Sequence, residues 1–325
     1  MKSAAVRVFV LGAFVAVPFI ETNSYWLHIF GVALIGAILA LGLQLLIGMA
    51  GLLSLGQGAF YGIGAYVSAV LTLHFGVPFP IAFFFAGVVA ALSSLLLVPI
   101  VKLQGSSLAV ATLGFNIIIY LVLLNEDWAT GGSYGLLNVP LPRIFGYELT
   151  TERDMYFFCL FVAALVYLAL DRLVNSRFGR ALKAISQDED AARACGISIN
   201  RYKSKCFLVA AFTAGIAGSL YAHHARYLNP NDFTFTKSIE ILIMVVVGGL
   251  GSLPGAVIGA IVIVLMPEYL RSAGELRLIL FGVLVVVLMG FSRGGIAGLA
   301  PMLVQRITQY RLPWQAKVSE SREMK

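Results

Sequence analysis

The chain has 325 residues, of which 59% are hydrophobic and 12% charged, with a mean hydropathy of +0.90. A soluble domain usually carries roughly 25% charged residues, so a water-soluble fold would have to leave large apolar faces in solvent and is set aside. The net charge of +7 is modest and gathers in one internal loop and the C-terminal tail. That distribution suits apposition to anionic lipid and argues against a nucleic-acid partner.

A helix needs about 20 residues to cross a hydrocarbon core of roughly 30 Å. In chain order, apolar runs predict spans near 7–24, 27–48, 57–75, 78–101, 106–124, 155–171, 206–224, 238–252, 254–270 and 277–292. The runs lack the alternation of barrel strands. The expected fold is therefore an all-α polytopic membrane protein of about ten transmembrane helices, some short or broken. Lys2 and Arg7 precede the first run, which is read as a retained span and not a cleaved signal. The expected organisation is an N-terminal region with the first span (1–25), a membrane domain (26–300) and a basic tail (301–325).

Between the fifth and sixth spans, loop 125–154 holds Arg143 and Arg153 against five acids. Loop 171–205 is the reverse, with eight Lys or Arg and four acids, and the tail from Arg293 adds six more basic residues. Basic loops stay on the cytoplasmic side. Loop 171–205, the tail and both termini are therefore expected inside, and loop 125–154 outside.

Loop 171–205 is polar yet patterned. Phe178, Leu182 and Ile185 recur at helical spacing, and Ser186-Gln-Asp-Glu189 fits a capping box that would start a second short helix. Glu189 and Arg193 are spaced for an i,i+4 ion pair, and Gly196 suits a left-handed helix terminus. Two short helices would form an elbow with a low, alanine-rich surface that includes Ala192. Spacing alone leaves it open whether the elbow enters a groove on a soluble partner or lies on lipid headgroups.

Within the membrane, Gly56-Gln57-Gly58 through Gly62 combines small residues with an amide. The Gly58/Gly62 pair permits a close helix crossing, and Gln57 could bond a neighbouring helix or line a solute path. Gly248–Gly259, with Pro254, is either a turn between spans or a broken helix facing a cavity. Glu240 could cap or snorkel, or serve a transport path. Thr130-Gly131-Gly132 could cradle an anion or an amide, or form an ordinary turn.

No catalytic or metal-binding constellation stands out. His28, His74, His223 and His224 are dispersed, and the last two are expected at a membrane interface. There is no G-x-x-x-x-G-K-[ST] sequence, so ATP cannot be bound here through a P-loop.

Five ordered segments resemble a known family. They are Gly51-Leu-Leu-Ser-Leu-Gly-Gln-Gly-Ala-Phe-Tyr-Gly-Ile-Gly-Ala-Tyr66, Thr130-Gly-Gly-Ser-Tyr-Gly-Leu136, the run Gly179–Ile197, Ala210–Tyr221 and Ile239–Gly255; Ala111-Thr-Leu-Gly-Phe115 adds to them. The chain is similar to the permease subunits of bacterial branched-chain amino-acid ABC transporters, in particular the LivM type. Tyr134 departs from the small or polar residue usual after the Thr-Gly-Gly motif.

The resemblance implies a non-catalytic inner-membrane subunit paired with a LivH-like permease. It further implies two cytoplasmic ATPases, which bind the ATP and Mg, and a periplasmic solute-binding protein. No cofactor is expected on this chain. By the resemblance, the elbow is the coupling segment to an ATPase, with Gly179, Arg180, Leu182, Ile185, Asp188, Glu189, Ala192 and Gly196 as its residues. Gln57, Gly58, Gly62, Thr130, Gly131, Gly132 and Glu240 are candidates for the translocation pathway or helix packing. Related permeases for urea, short-chain amides or aromatic acids are the alternative, and a stand-alone secondary transporter or channel is the competing class.

Overall fold

The computed structural model describes residues 23–273, apart from 104 and 145, together with Pro18, Leu276, Ile279, Gly282 and Val283. Eight of the ten expected spans fall within it. Most of the expected spans 7–24 and 277–292, and the whole tail 301–325, lie outside the described residues.

Helix α1 (Ser24–Gln44) is capped by the Asn23 side chain and continues through a π-helical turn, Leu45–Met49. Its 26 residues reach roughly 39 Å, enough to cross a bilayer. Nearly every residue from Ala33 to Leu46 is buried, so α1 is the central post of the bundle. Among the described residues, five helical segments are long and apolar enough to span: α1 with its π turn, α3 (Phe79–Ser93, extended by a 3-10 turn to Leu97), α4 (Ser106–Asn125), α6 (Glu152–Val174) and α9 (Ile199–Ala225). The chain is thus a multi-pass helical membrane protein.

Three apolar helices are shorter: α2 (Gln57–Leu73), α10 (Phe235–Gly248) and α11 (Leu253–Tyr269). At 14 residues, α10 extends only about 21 Å and cannot cross alone. The 3-10 turn Pro230–Phe233 carries the chain inward before α10 begins. Residues 249–252 form the turn in the glycine-rich stretch 248–259: α10 stops at Gly248, and Ser252 caps α11 by accepting from the Gly255 N–H at 3.2 Å.

The segment between α4 and α6 contains the one-turn helix α5 (Asp127–Thr130), the two-residue strand β1 (Leu136–Leu137), and a small hairpin of β2 (Arg143–Ile144) with β3 (Tyr147–Glu148). After α9, strand β4 (Tyr227–Leu228) pairs antiparallel with β1, placing Leu136 opposite Leu228. These short ladders tie the loop to the end of α9. At the opposite end of the bundle, α7 (Arg177–Gln187) and α8 (Glu189–Ala194) form the elbow expected between α6 and α9.

Candidate functional site

The elbow is built from its apolar stripe. Leu182 and Ile185 are buried, and Ile185 joins Ala192 and Ile199 in a small core of its own beneath Ala184, Ile197 and Tyr202. The Phe178 ring stacks on Tyr202 at 5.6 Å. A Cβ on Gly179 would strike the Val174 carbonyl, so this position lets α7 fold back on the end of α6. Gly179, Leu182, Ile185 and Ala192 therefore hold the elbow to its own chain. Arg180, Asp188 and Gly196 lie on its exposed side, as do Lys183, Ala191 and Arg193.

Two local expectations are corrected. Ser186 is not the cap of the second helix, because its hydroxyl donates back to the Lys183 carbonyl at 2.9 Å. The cap is Asp188, whose carboxylate accepts from the N–H groups of Asp190 and Ala191 at 2.9 and 3.0 Å. A carboxylate placed at the helix start meets the positive end of the dipole, which a hydroxyl two residues earlier cannot reach. Arg193 pairs with Asp190 at 2.8 Å and not with Glu189. Glu189 turns inward to Lys203 at 2.6 Å. The side chain of Lys203, the fifth residue of α9, is 2% exposed.

The elbow ends in a Schellman turn. The Gly196 N–H donates to Arg193 and the Ile197 N–H to Ala192, with Gly196 at φ +81°. A cavity of about 350 Å³ opens between Glu189, Lys203 and Gly51, the last lying at the end of the π turn of α1. The elbow thus touches three elements that enter the membrane.

In the membrane interior, Gln57 is fully buried at the first turn of α2, and its Nε2 donates to the Ala210 carbonyl of α9 at 3.3 Å. Gly58 donates its N–H to Ser238 Oγ at 2.9 Å. A Cβ on Gly62 would lie 3.1 Å from both Leu123 and Phe233. These two glycines therefore admit α4 and the inward segment before α10. The backbone-to-backbone crossing of α2 lies elsewhere, at Gly64 against Gly215 of α9.

Glu240 pairs with Lys237 at 2.9 Å, both partly exposed. Thr130 donates to the Leu123 carbonyl at 2.7 Å and to that of Glu126, while the Gly132 N–H donates to Glu126 O at 3.1 Å and also reaches Thr130 Oγ1 at 3.3 Å. Gly131 adopts φ +72° and its N–H donates to Asp127 O. The Thr130–Gly132 segment thus spends its donors on closing a turn after α4.

The histidines are not dispersed as expected. His223, in the last turn of α9, is buried between Ser68 Oγ (3.0 Å) and the Pro140 carbonyl (2.7 Å) of loop 125–154. His224 is buried too and stacks on His28 at 4.1 Å, while His28 Nδ1 lies 3.2 Å from Glu152. His28, Glu152 and His224 bring their potential ligand atoms within 4.8 Å of one another. The two rings are only 13° from parallel, so their in-plane lone pairs run side by side and do not converge.

Two buried polar side chains escaped the sequence reading. Lys203 looked like one more basic residue of the loop, and its burial depends on the fold of α8 against α9. Asn116 is a lone amide inside an apolar helix, with no periodic signal to set it apart.

Comparison with known proteins places these features in a family. The model of the branched-chain amino acid transport system / permease component family matches residues 25–289. The high-affinity branched-chain amino acid transport system permease protein LivM of Escherichia coli K12 is 35% identical over 299 residues, covering 85% of this chain and 70% of that protein. LivH of Salmonella typhimurium is 25% identical over 289 residues, covering 79% of this chain and 90% of LivH. A probable LivM of Methanocaldococcus jannaschii is 27% identical over 65% of each chain. No solved structure matches. With a family match that runs through α1 and the elbow to beyond α11, the chain belongs to the branched-chain amino acid transport permease family and is of the LivM type.

Proposed function

We propose that this chain is one of two membrane-spanning subunits of an ATP-driven importer that moves leucine, isoleucine and valine across a bacterial inner membrane. A LivH-like permease is its partner in the membrane. Two cytoplasmic ATPases supply the energy, and a periplasmic binding protein delivers the solute. The observation that carries this reading is the elbow α7–α8, which has a charged outer side and an apolar inner side locked onto α9. It is the part of the chain suited to receive force from a soluble partner, and the sequence offers no nucleotide-binding loop of its own. The eight basic residues of loop 171–205 support a cytoplasmic location for this face.

Glu240 is already paired with Lys237 at 2.9 Å, so it is not a free carboxylate of the kind an ion-coupled carrier would offer its coupling ion. The test is reconstitution of the chain with its companion permease, ATPases and binding protein in proteoliposomes. Leucine uptake should require ATP and all components, and urea should not be taken up. Uptake by the membrane subunits alone, driven by an ion gradient, would overturn the proposal.

A further inference from the structure

The start of α2 and the start of α10 meet inside the bundle. Gly58, on the first turn of α2, bonds Ser238 on the first turn of α10, and a Cβ on Gly58 would lie 3.3 Å from the Thr234 carbonyl that precedes α10. From there the helices diverge. The end of α2 approaches Trp128 through His74, near the end of α4, whereas the end of α10 reaches Gln44 through the Gly249 carbonyl. Both helices begin without a side-chain cap. The first N–H groups of any helix lack intrahelical partners and carry the positive end of its dipole. Two positive helix ends therefore face one point, level with the middle of α4.

An independent observation marks the same point. On α4, Thr112 and Asn116 are one turn apart and lie on the same side. Thr112 is satisfied, donating to the Ala109 carbonyl and accepting from the Leu55 N–H at 2.9 Å. Asn116 is fully buried, yet neither its Oδ1 nor its Nδ2 has a hydrogen-bond partner among the described residues. Its Oδ1 lies 3.1 Å from where a Cβ on Gly58 would stand. A buried amide with both atoms unpaired is costly and needs an explanation.

We propose that this junction is a carboxylate-binding site on the translocation path, with the Asn116 amide as its side-chain ligand. This rests on the transport function proposed above and names the group it recognises. With its amide turned over, so that Nδ2 takes the place of Oδ1 facing Gly58, Asn116 donates to the carboxylate of the passing amino acid. The Ser238 hydroxyl, which accepts from Gly58, still has a proton to donate. The two helix ends supply the positive field, as helix amino ends do for anions elsewhere. The Lys237 charge is already paired with Glu240, so this field is not that of a free ammonium, and the carboxylate is held without being trapped.

The test uses the reconstituted transporter with leucine as the probe and compares Asn116→Leu with Asn116→Ser. Uptake should fall roughly tenfold or more in Asn116→Leu, the scale of losing a hydrogen bond to a charged group. ATP hydrolysis stimulated by the loaded binding protein should persist in that variant. Asn116→Ser keeps a donor and should retain far more uptake. A packing role predicts the opposite ranking, because leucine fills the space and serine leaves a hole. Equal uptake in wild type and Asn116→Leu, or better uptake in Leu than in Ser, would overturn the site. Loss of stimulated hydrolysis already in the wild-type assembly would instead sink the transport function itself.

Discussion

At Gly64 the backbones of α2 and α9 touch, since a Cβ there would overlap Gly215. No rotamer relieves that clash, because the obstacle is main chain. Gly58 differs: the nearest obstacles to a Cβ there are the side chains of Ser238 and Asn116, with the Thr234 carbonyl at a looser 3.3 Å. Gly64→Leu should therefore destabilise the folded protein by about 1–3 kcal/mol or more, as overpacking in a tight core does. A lowered midpoint in thermal unfolding of the detergent-solubilised protein checks this, and an unchanged midpoint would show that the crossing is loose. Small residues matter here because apolar side chains gain little by leaving lipid for protein, and close backbone approach supplies the packing that does.

At the scale of elements, the elbow acts as a lever only if it is joined firmly to a span. The pair Glu189–Lys203 makes that joint, linking the first residue of α8 to the fifth residue of α9. Breaking a buried pair from one side leaves an uncompensated charge, at a cost of about 3–5 kcal/mol when both groups are deeply buried. Glu189 keeps a quarter of its surface in water, so the cost here falls below that range. Lys203→Met or Glu189→Lys should leave membrane levels of the chain intact and reduce the ATPase retained in a pull-down. The exchange Glu189→Lys with Lys203→Glu should restore much of that retention. If the exchange is as defective as either single variant, Glu189 touches the ATPase directly and the joint is not what it supplies.

For the whole molecule, orientation and coupling stand together. Cys195 is exposed at the end of the elbow, while Cys159 and Cys206 are buried. Native Cys195 should react with an impermeant maleimide only once the cytoplasmic face is opened. Tyr134, 89% exposed beyond α5, gives the opposite reporter: Tyr134→Cys in a Cys195→Ser background should react from outside intact spheroplasts. Eight basic residues in loop 171–205 resist translocation, and loop 125–154 carries an acidic excess. Labelling of Cys195 from outside would invert the chain and remove the elbow from any ATPase.

Much of this architecture was legible in the amino-acid sequence. Spans are written as long apolar runs because a bilayer demands one helix-length at a time, so segments such as 27–48, 106–124 and 155–171 match α1, α4 and α6 closely. The elbow was legible for the same local reason: Phe178, Leu182 and Ile185 share a face, and Gly196 supplies a left-handed turn. What the tertiary structure alone decided is where polar groups go once those helices pack. Asp188 took the cap from Ser186, and Glu189 chose Lys203 over Arg193, because the partner 14 residues away is brought closer than the one four residues away. The meeting of α2 with α10 was hidden in the same way, since α10 is apolar like any span and only the course of residues 230–233, which buries Pro230 and Phe233, shows that it starts against the first turn of α2. Local pattern records which face of a helix is apolar; the depth at which it begins, and which buried amide it meets there, depend on contacts between residues as far apart as Gly58 and Ser238.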